Sequence, residues 1–136
     1  MTRTRRARYV LTARAAADLR EARAWSRARW GKELTSRYFN DLHEGAQFIA
    51  VNHGALRRRQ ELSDSTALFV YSVREHYLVY VPLDERLIAV VAVIRHGRDI
   101  PAILQKWSAV IRREMIEIRA RLDRGEIAAT KSRRKK

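Results

Sequence analysis

Leu68-Phe-Val-Tyr-Ser-Val73, His76-Tyr-Leu-Val-Tyr-Val81 and Leu87-Ile-Ala-Val-Val-Ala-Val-Ile94 are three runs of β-branched and aromatic residues that follow one another closely. Such residues suit a pleated, half-buried surface, so each run predicts a strand. Only Arg74-Glu75 separates the first two, and Pro82-Leu-Asp-Glu-Arg86 the next two. Links that short admit antiparallel pairing alone, because a parallel return needs a crossover of a dozen or more residues. The eight unbroken apolar residues of 87–94 predict a strand buried on both faces, hence central in the sheet. Alternation places Tyr77 and Tyr80 on opposite faces, which makes at least one of them a core residue.

Upstream the period changes from two to that of a helix. Tyr9-Val-Leu11 is a short strand candidate, and Thr12 after it is a helix N-cap residue. From Ala13 the chain is rich in Ala, Arg, Leu and Glu, with no Pro or Gly before Gly31, so one helix is expected to end at Trp30-Gly31. A second runs from about Lys32 to Val51, with Leu34, Tyr38, Leu42, Ala46 and Ile49 on one stripe, and Asn52-His-Gly54 stops it. Two helices joined so tightly pack as an antiparallel hairpin. A further short strand is a candidate over Leu56–Leu62, opposed by the charges of Arg57-Arg58-Arg59.

Downstream, Asp99-Ile-Pro101 opens a helix on which Ile103, Trp107, Ile111, Met115, Ile118 and Leu122 recur as far as Gly125. Glu117 and Arg121 add a favourable i,i+4 pair. This long amphipathic helix needs something to cover its stripe: its own domain, a second copy, or another protein.

The 136 residues allow one domain, and 46% hydrophobic content is too apolar for a chain disordered throughout. There is no cysteine, which removes disulfides, thiolate zinc sites and cysteine catalysis. No apolar run approaches the roughly 20 residues that span a bilayer, and the basic N-terminus leads into no signal-type apolar region, so a cytoplasmic protein without membrane association is expected. The formal charge is +14, but Arg3, Arg5, Arg6 and Arg8 at one end and Lys131, Arg133, Arg134, Lys135 and Lys136 at the other leave +5 on residues 9–130. Basic ends of this kind attract polyanions without sequence preference and do not by themselves make a specific site.

Of His43, His53, His76 and His96, none has a carboxylate or histidine at zinc-ligand spacing, and there is no P-loop, G-x-G-x-x-G or G-x-S-x-G. No metal or cofactor is expected. Trp25, Trp30 and Trp107 lie on helices and read as core or interface anchors. Two arginine clusters remain, Arg57-Arg58-Arg59 beside the sheet and Arg95-His96-Gly97-Arg98 at the end of the last strand. Either can neutralise phosphates, pair with acids of a partner, or stand as solvated charge.

Taken in order, Tyr9-Val-Leu-Thr12, Ala17-Asp18-Leu19, Trp30-Gly31, Tyr38, Leu42, His76-Tyr-Leu-Val-Tyr80 and the closing Val93-Ile-Arg-His-Gly-Arg-Asp-Ile100 with Leu104 resemble the ParE toxins of the RelE/ParE superfamily. The resemblance implies an α+β fold, an N-terminal helical hairpin packed on a small twisted antiparallel sheet, here followed by the long C-terminal amphipathic helix. It implies the toxin of a type II toxin–antitoxin pair, aimed at a macromolecule, DNA gyrase first, and neutralised by a cognate, acidic, ParD-like antitoxin. On that basis Trp25, Trp30 and Tyr38 are candidate antitoxin contacts and Arg95, His96 and Arg98 candidate target contacts, with no catalytic residue.

The alternative the resemblance carries is a RelE-like, ribosome-dependent mRNA endoribonuclease using Arg57, Arg59, His96 and Arg98. Against it, Tyr77 stands where those enzymes carry an arginine, and Ile103 or Leu104 where they carry a late tyrosine. A ribonuclease must stabilise a phosphorane and move protons, so losing two of that set weakens the chemistry. A third reading is a non-toxic basic nucleic-acid-binding module. The expected organisation is a basic arm over 1–8, the toxin domain over 9–104, the amphipathic helix over 105–125, and a basic, disordered tail over 126–136. The resemblance does not reach past Leu104, where self-association through the helix is one use of the extension.

Overall fold

The computed structural model describes residues 8–56 and 68–127. The basic arm up to residue 7, the strand candidate beyond Leu56, the arginines Arg57, Arg58 and Arg59, and the tail from residue 128 lie outside the described residues. The elements are β1 (Arg8–Leu11), α1 (Ala13–Trp30), α2 (Lys32–Asn52), a 3-10 turn (His53–Ala55), β2 (Phe69–Val73), β3 (His76–Asp84), β4 (Leu87–Arg95), α3 (Ile100–Lys106) and α4 (Ser108–Asp123).

The hairpin begins and turns where its local chemistry places it. Thr12 caps α1 by accepting the Ala15 amide at 3.0 Å, and its own amide donates to the Val90 carbonyl at 3.1 Å. One residue thus ends β1, starts α1 and fixes both to the sheet. At the far end Gly31 takes φ 88, donates its amide to the Arg27 carbonyl and accepts the Thr35 amide, closing α1 and opening α2. A side chain at that φ would be strained, so glycine makes the one-residue reversal possible.

β2, β3 and β4 pair antiparallel, with Val73 opposite His76 and Leu87 opposite Asp84. The β2–β3 turn has Arg74 at φ 56, and β3 runs on through Pro82, which sits at a break in register. Proline lacks an amide to give the ladder, and an irregularity is where a strand tolerates it. In one respect the sheet departs from the all-antiparallel expectation. β1 joins β4 in parallel, Tyr9 opposite Ile88 and Leu11 opposite Val90, so the sheet is mixed with order β1-β4-β3-β2. The whole hairpin and β2–β3 lie between these strands in sequence, ample for the crossover that a parallel pair requires.

β4 is therefore central, and every residue from Leu87 to Ile94 is buried. One face packs Leu78, Tyr80, Ile88, Val90 and Val93 against Ala15, Ala46, Ile49 and Ala50 of the hairpin. The other packs Val79, Leu87, Ala89, Val91, Ala92 and Ile94 against Ile100, Leu104, Ile111, Met115 and Ile118. The C-terminal stripe is covered by the chain's own sheet. It forms not one helix but two, parted at Trp107, whose backbone leaves the helical region at φ −101, ψ 10. Past α4 the chain reverses at Gly125 (φ 79), and Ile127 returns buried into the same cluster.

Candidate interaction site

Trp25 sits on α1 so that its indole meets the end of β4. The Arg95 guanidinium lies over that ring at 4.5 Å and Arg29, one turn further along α1, at 4.8 Å. Trp30 meets Trp25 edge to face at 5.5 Å and then Tyr38 of α2, also at 5.5 Å. An aromatic row thus joins the hairpin junction to the strand end, with two guanidiniums over its first ring. Such stacking attracts the cation to the ring face and fixes the guanidinium plane while leaving N–H groups at its edge.

The row is anchored from beneath. Tyr38, 2% exposed, accepts the Glu75 amide at 3.0 Å and shares a hydrogen bond of 2.6 Å with Nδ1 of His76. Burial, then the nearby charges of Arg95 and His96, lower the His76 pKa to about 4. The imidazole is neutral at pH 7. Tyr38 is consequently a floor residue, and Trp30 with the exposed Leu34 supplies the accessible apolar surface above it.

A cleft of about 350 Å³ opens beside Trp25, to which α1 contributes Asp18 and Glu21 and the strand end contributes Arg95 and Arg98. Arg98 is exposed and has no ion-pair partner among the described residues. Asp18 is buried, its Oδ2 accepting the Val93 amide at 3.0 Å and its Oδ1 facing Arg14 Nε at 3.2 Å. Desolvation raises the Asp18 pKa, opposed by the Val93 amide and Arg14. β1 has ended by this level of β4, and the carboxylate takes up an amide that no strand reaches.

The cluster expected at Arg95, His96 and Arg98 is thereby divided. Arg95 and Arg98 share the cleft with Trp25, while His96 stacks on Tyr77 at 4.2 Å with Nε2 3.0 Å from the Ser72 hydroxyl. Trp25, Trp30 and Tyr38, expected as a separate surface, are continuous with the two arginines. Arg57 and Arg59 lie outside the described residues. Sequence reasoning missed Arg29, although its i+4 spacing from Trp25 was legible, and His76, which carried no such signal. Among the described residues no group of His, Asp and Glu could hold a metal ion, and no helix is long and apolar enough to cross a membrane.

Residues 9–100 match the family described as ParE toxin of type II toxin–antitoxin system, parDE. Toxin ParE of Escherichia coli is 32% identical over 92 residues, which are 68% of this chain and 87% of that protein. Among solved structures, a chain of the chromosomal ParDE TA system from P. aeruginosa superposes with a TM-score of 0.56 at 15% identity, over 68% of this chain and 98% of that one.

Proposed function

This chain belongs to the ParE family of toxins from type II toxin–antitoxin systems, and from that premise we propose that it arrests growth by binding a macromolecule, DNA gyrase first. In this reading a cognate acidic antitoxin holds it inactive. The observation that carries the reading is Arg95 seated on Trp25, with the exposed Arg98 beside it: one held guanidinium, and one free among the described residues, at the rim of an open cleft. Such a surface suits binding. Arg95 is preorganised for a partner's carboxylates or phosphates, and the one buried imidazole nearby is kept neutral and already hydrogen-bonded. Arg95 and Arg98, with His96 at the margin, are the proposed target contacts. Trp25 and Trp30 are the proposed antitoxin contacts, and Tyr38 holds Trp30 in place.

The +14 charge supports an acidic antitoxin, since complementarity accelerates encounter and disfavours wrong partners. An apolar anchor from its arm has Trp30 and Leu34 to pack against, with Arg37 at hand for its acids, while Arg74 beside it is paired with Asp41. Two measurements test the proposal. Induced expression is expected to stop growth, with relief when a small acidic neighbouring reading frame is co-expressed. Purified protein is expected to block supercoiling of relaxed plasmid by gyrase or to trap cleaved DNA. Unimpaired supercoiling together with mRNA cuts on translating ribosomes would replace this reading with the endoribonuclease.

A further inference from the structure

The sheet of this chain is roofed twice, by the hairpin on one face and by α3, α4 and Ile127 on the other. The family match stops at residue 100, and 68% of this chain accounts for 98% of the P. aeruginosa chain, which leaves about a third of the present protein outside that superposition. The segment past the family match carries Ile111, Met115, Ile118 and Ile127, each at most 8% exposed, onto Leu87, Ala89, Val91 and Ile94. Its stripe is thus engaged within the molecule, with Ile103, Trp107 and Leu122 partly buried at its edges.

A second, polar set of contacts holds it. The Arg14 guanidinium of α1 lies 4.0 Å over the Trp107 ring, and the Arg14 amide lies 3.4 Å from Glu114 Oε1 of α4. Arg14 also meets Asp18, which is bonded to the Val93 amide of β4. Hairpin, central strand and extension are therefore linked through one arginine. Because Trp107 interrupts the helix, its indole can sit under Arg14 while α4 stays on the sheet.

We propose that residues 100–127 are a cover built into this chain that stays on the second sheet face when the antitoxin binds, confining the antitoxin to the hairpin side around Trp25, Trp30 and Leu34. The proposal rests on the antitoxin-regulated reading given above. A partner segment competing for the second face would have to displace both the apolar stripe and the Arg14 contacts.

Hydrogen–deuterium exchange on the full-length protein, alone and with the product of the adjacent acidic reading frame, tests it. In the free protein, amides of residues 108–123 are expected to be protected to within about tenfold of those of β4, as members of one cooperative unit. Exchange of that helix at the rate of a frayed end would overturn the cover. In the complex, new protection is expected on α1 and α2 with that of 108–123 unchanged. Loss of protection over 108–123 on adding the antitoxin would overturn the proposal by showing displacement. Absence of any complex would instead remove the antitoxin reading and with it the confinement claim, while exchange in the free protein still decides whether the cover exists.

Discussion

Arg95 and Trp25 are 70 positions apart in sequence, yet the guanidinium of one rests on the indole of the other at 4.5 Å. The contact joins the end of the central strand to the hairpin and places a planar cation on the wall of the cleft beside Arg98. Arg95→Ala is expected to weaken target binding by about 1–2 kcal/mol, the range for an arginine inside an interface. The stacking itself contributes about 0.5–1 kcal/mol to stability, so the variant remains folded. Arg95→Lys should recover only part of the binding, because an ammonium has neither the plane nor the fork. Growth arrest on induction, read beside the thermal midpoint of each variant, checks this. Full toxicity in Arg95→Ala would make the stacked arginine a purely structural feature.

His76 makes stability fall on mild acidification. Its pKa drops from 6.5 in the unfolded chain to about 4 in the folded one, so folding favours the neutral ring. The associated stability is present in full above pH 6.5 and is lost as pH falls towards 4. At about 1.4 kcal/mol per tenfold, it amounts to about 3 kcal/mol. Urea unfolding of the parent and of His76→Gln at pH 7 and pH 4.5 isolates this contribution, since other groups titrate in both. Parallel pH profiles would show that the ring is protonated without penalty.

How far the fold could be read in advance depended on whether the deciding signal was local. Thr12 and Gly31 fixed the ends of α1 because caps act through neighbouring residues, and the eight apolar residues of β4 marked the buried strand unaided. β1 was different. Four residues carry too little pattern to state a register or a direction, so its parallel pairing with β4 emerged only from the fold. Periodicity revealed that Ile111, Met115 and Ile118 form a face but could not say what covers it. The break at Trp107 left the spacing intact and was invisible. At the site, Trp25, Arg95 and Arg98 were each singled out from sequence, but their meeting and the turning of His96 towards Tyr77 depend on which face of the strand end each side chain takes.

Asp18 provides a test of opposite sign to His76. Burial raises its pKa above 3.8, so the stability it contributes is greatest below that pH and declines as pH rises through the folded value. Asp18→Asn keeps an oxygen for the Val93 amide and removes the buried charge. Its stability at pH 7 is expected within about 1 kcal/mol of the parent, with a flatter profile between pH 4 and 7. Asp18→Ala leaves the Val93 amide unpaired and is expected to cost about 1–3 kcal/mol. Denaturant midpoints across that range measure both, and equal losses in Asn and Ala would mean that the Arg14 ion pair dominates instead.

Gly45 lies in α2 where the helix runs against β2, and a methyl group built there would stand 2.6 Å from Val73 Cγ2 and 3.0 Å from Cγ1. Alanine in a helix interior is ordinarily favoured over glycine by about 1 kcal/mol. Here the clash reverses that sign, because both nearby atoms belong to a short branched side chain with few rotamers to escape into. Gly45→Ala is expected to lose about 1–2 kcal/mol net, the range for forcing an extra methyl into a packed contact. Val73→Ala opens the space at its own cost, so in the double variant the second substitution should recover the helix gain. The two changes are then non-additive by about 1 kcal/mol or more, measurable as a coupling energy in a double-mutant cycle. Simple additivity would mean that α2 yields by moving away from β2, in which case hydrogen exchange along Phe69–Val73 should speed up in Gly45→Ala alone.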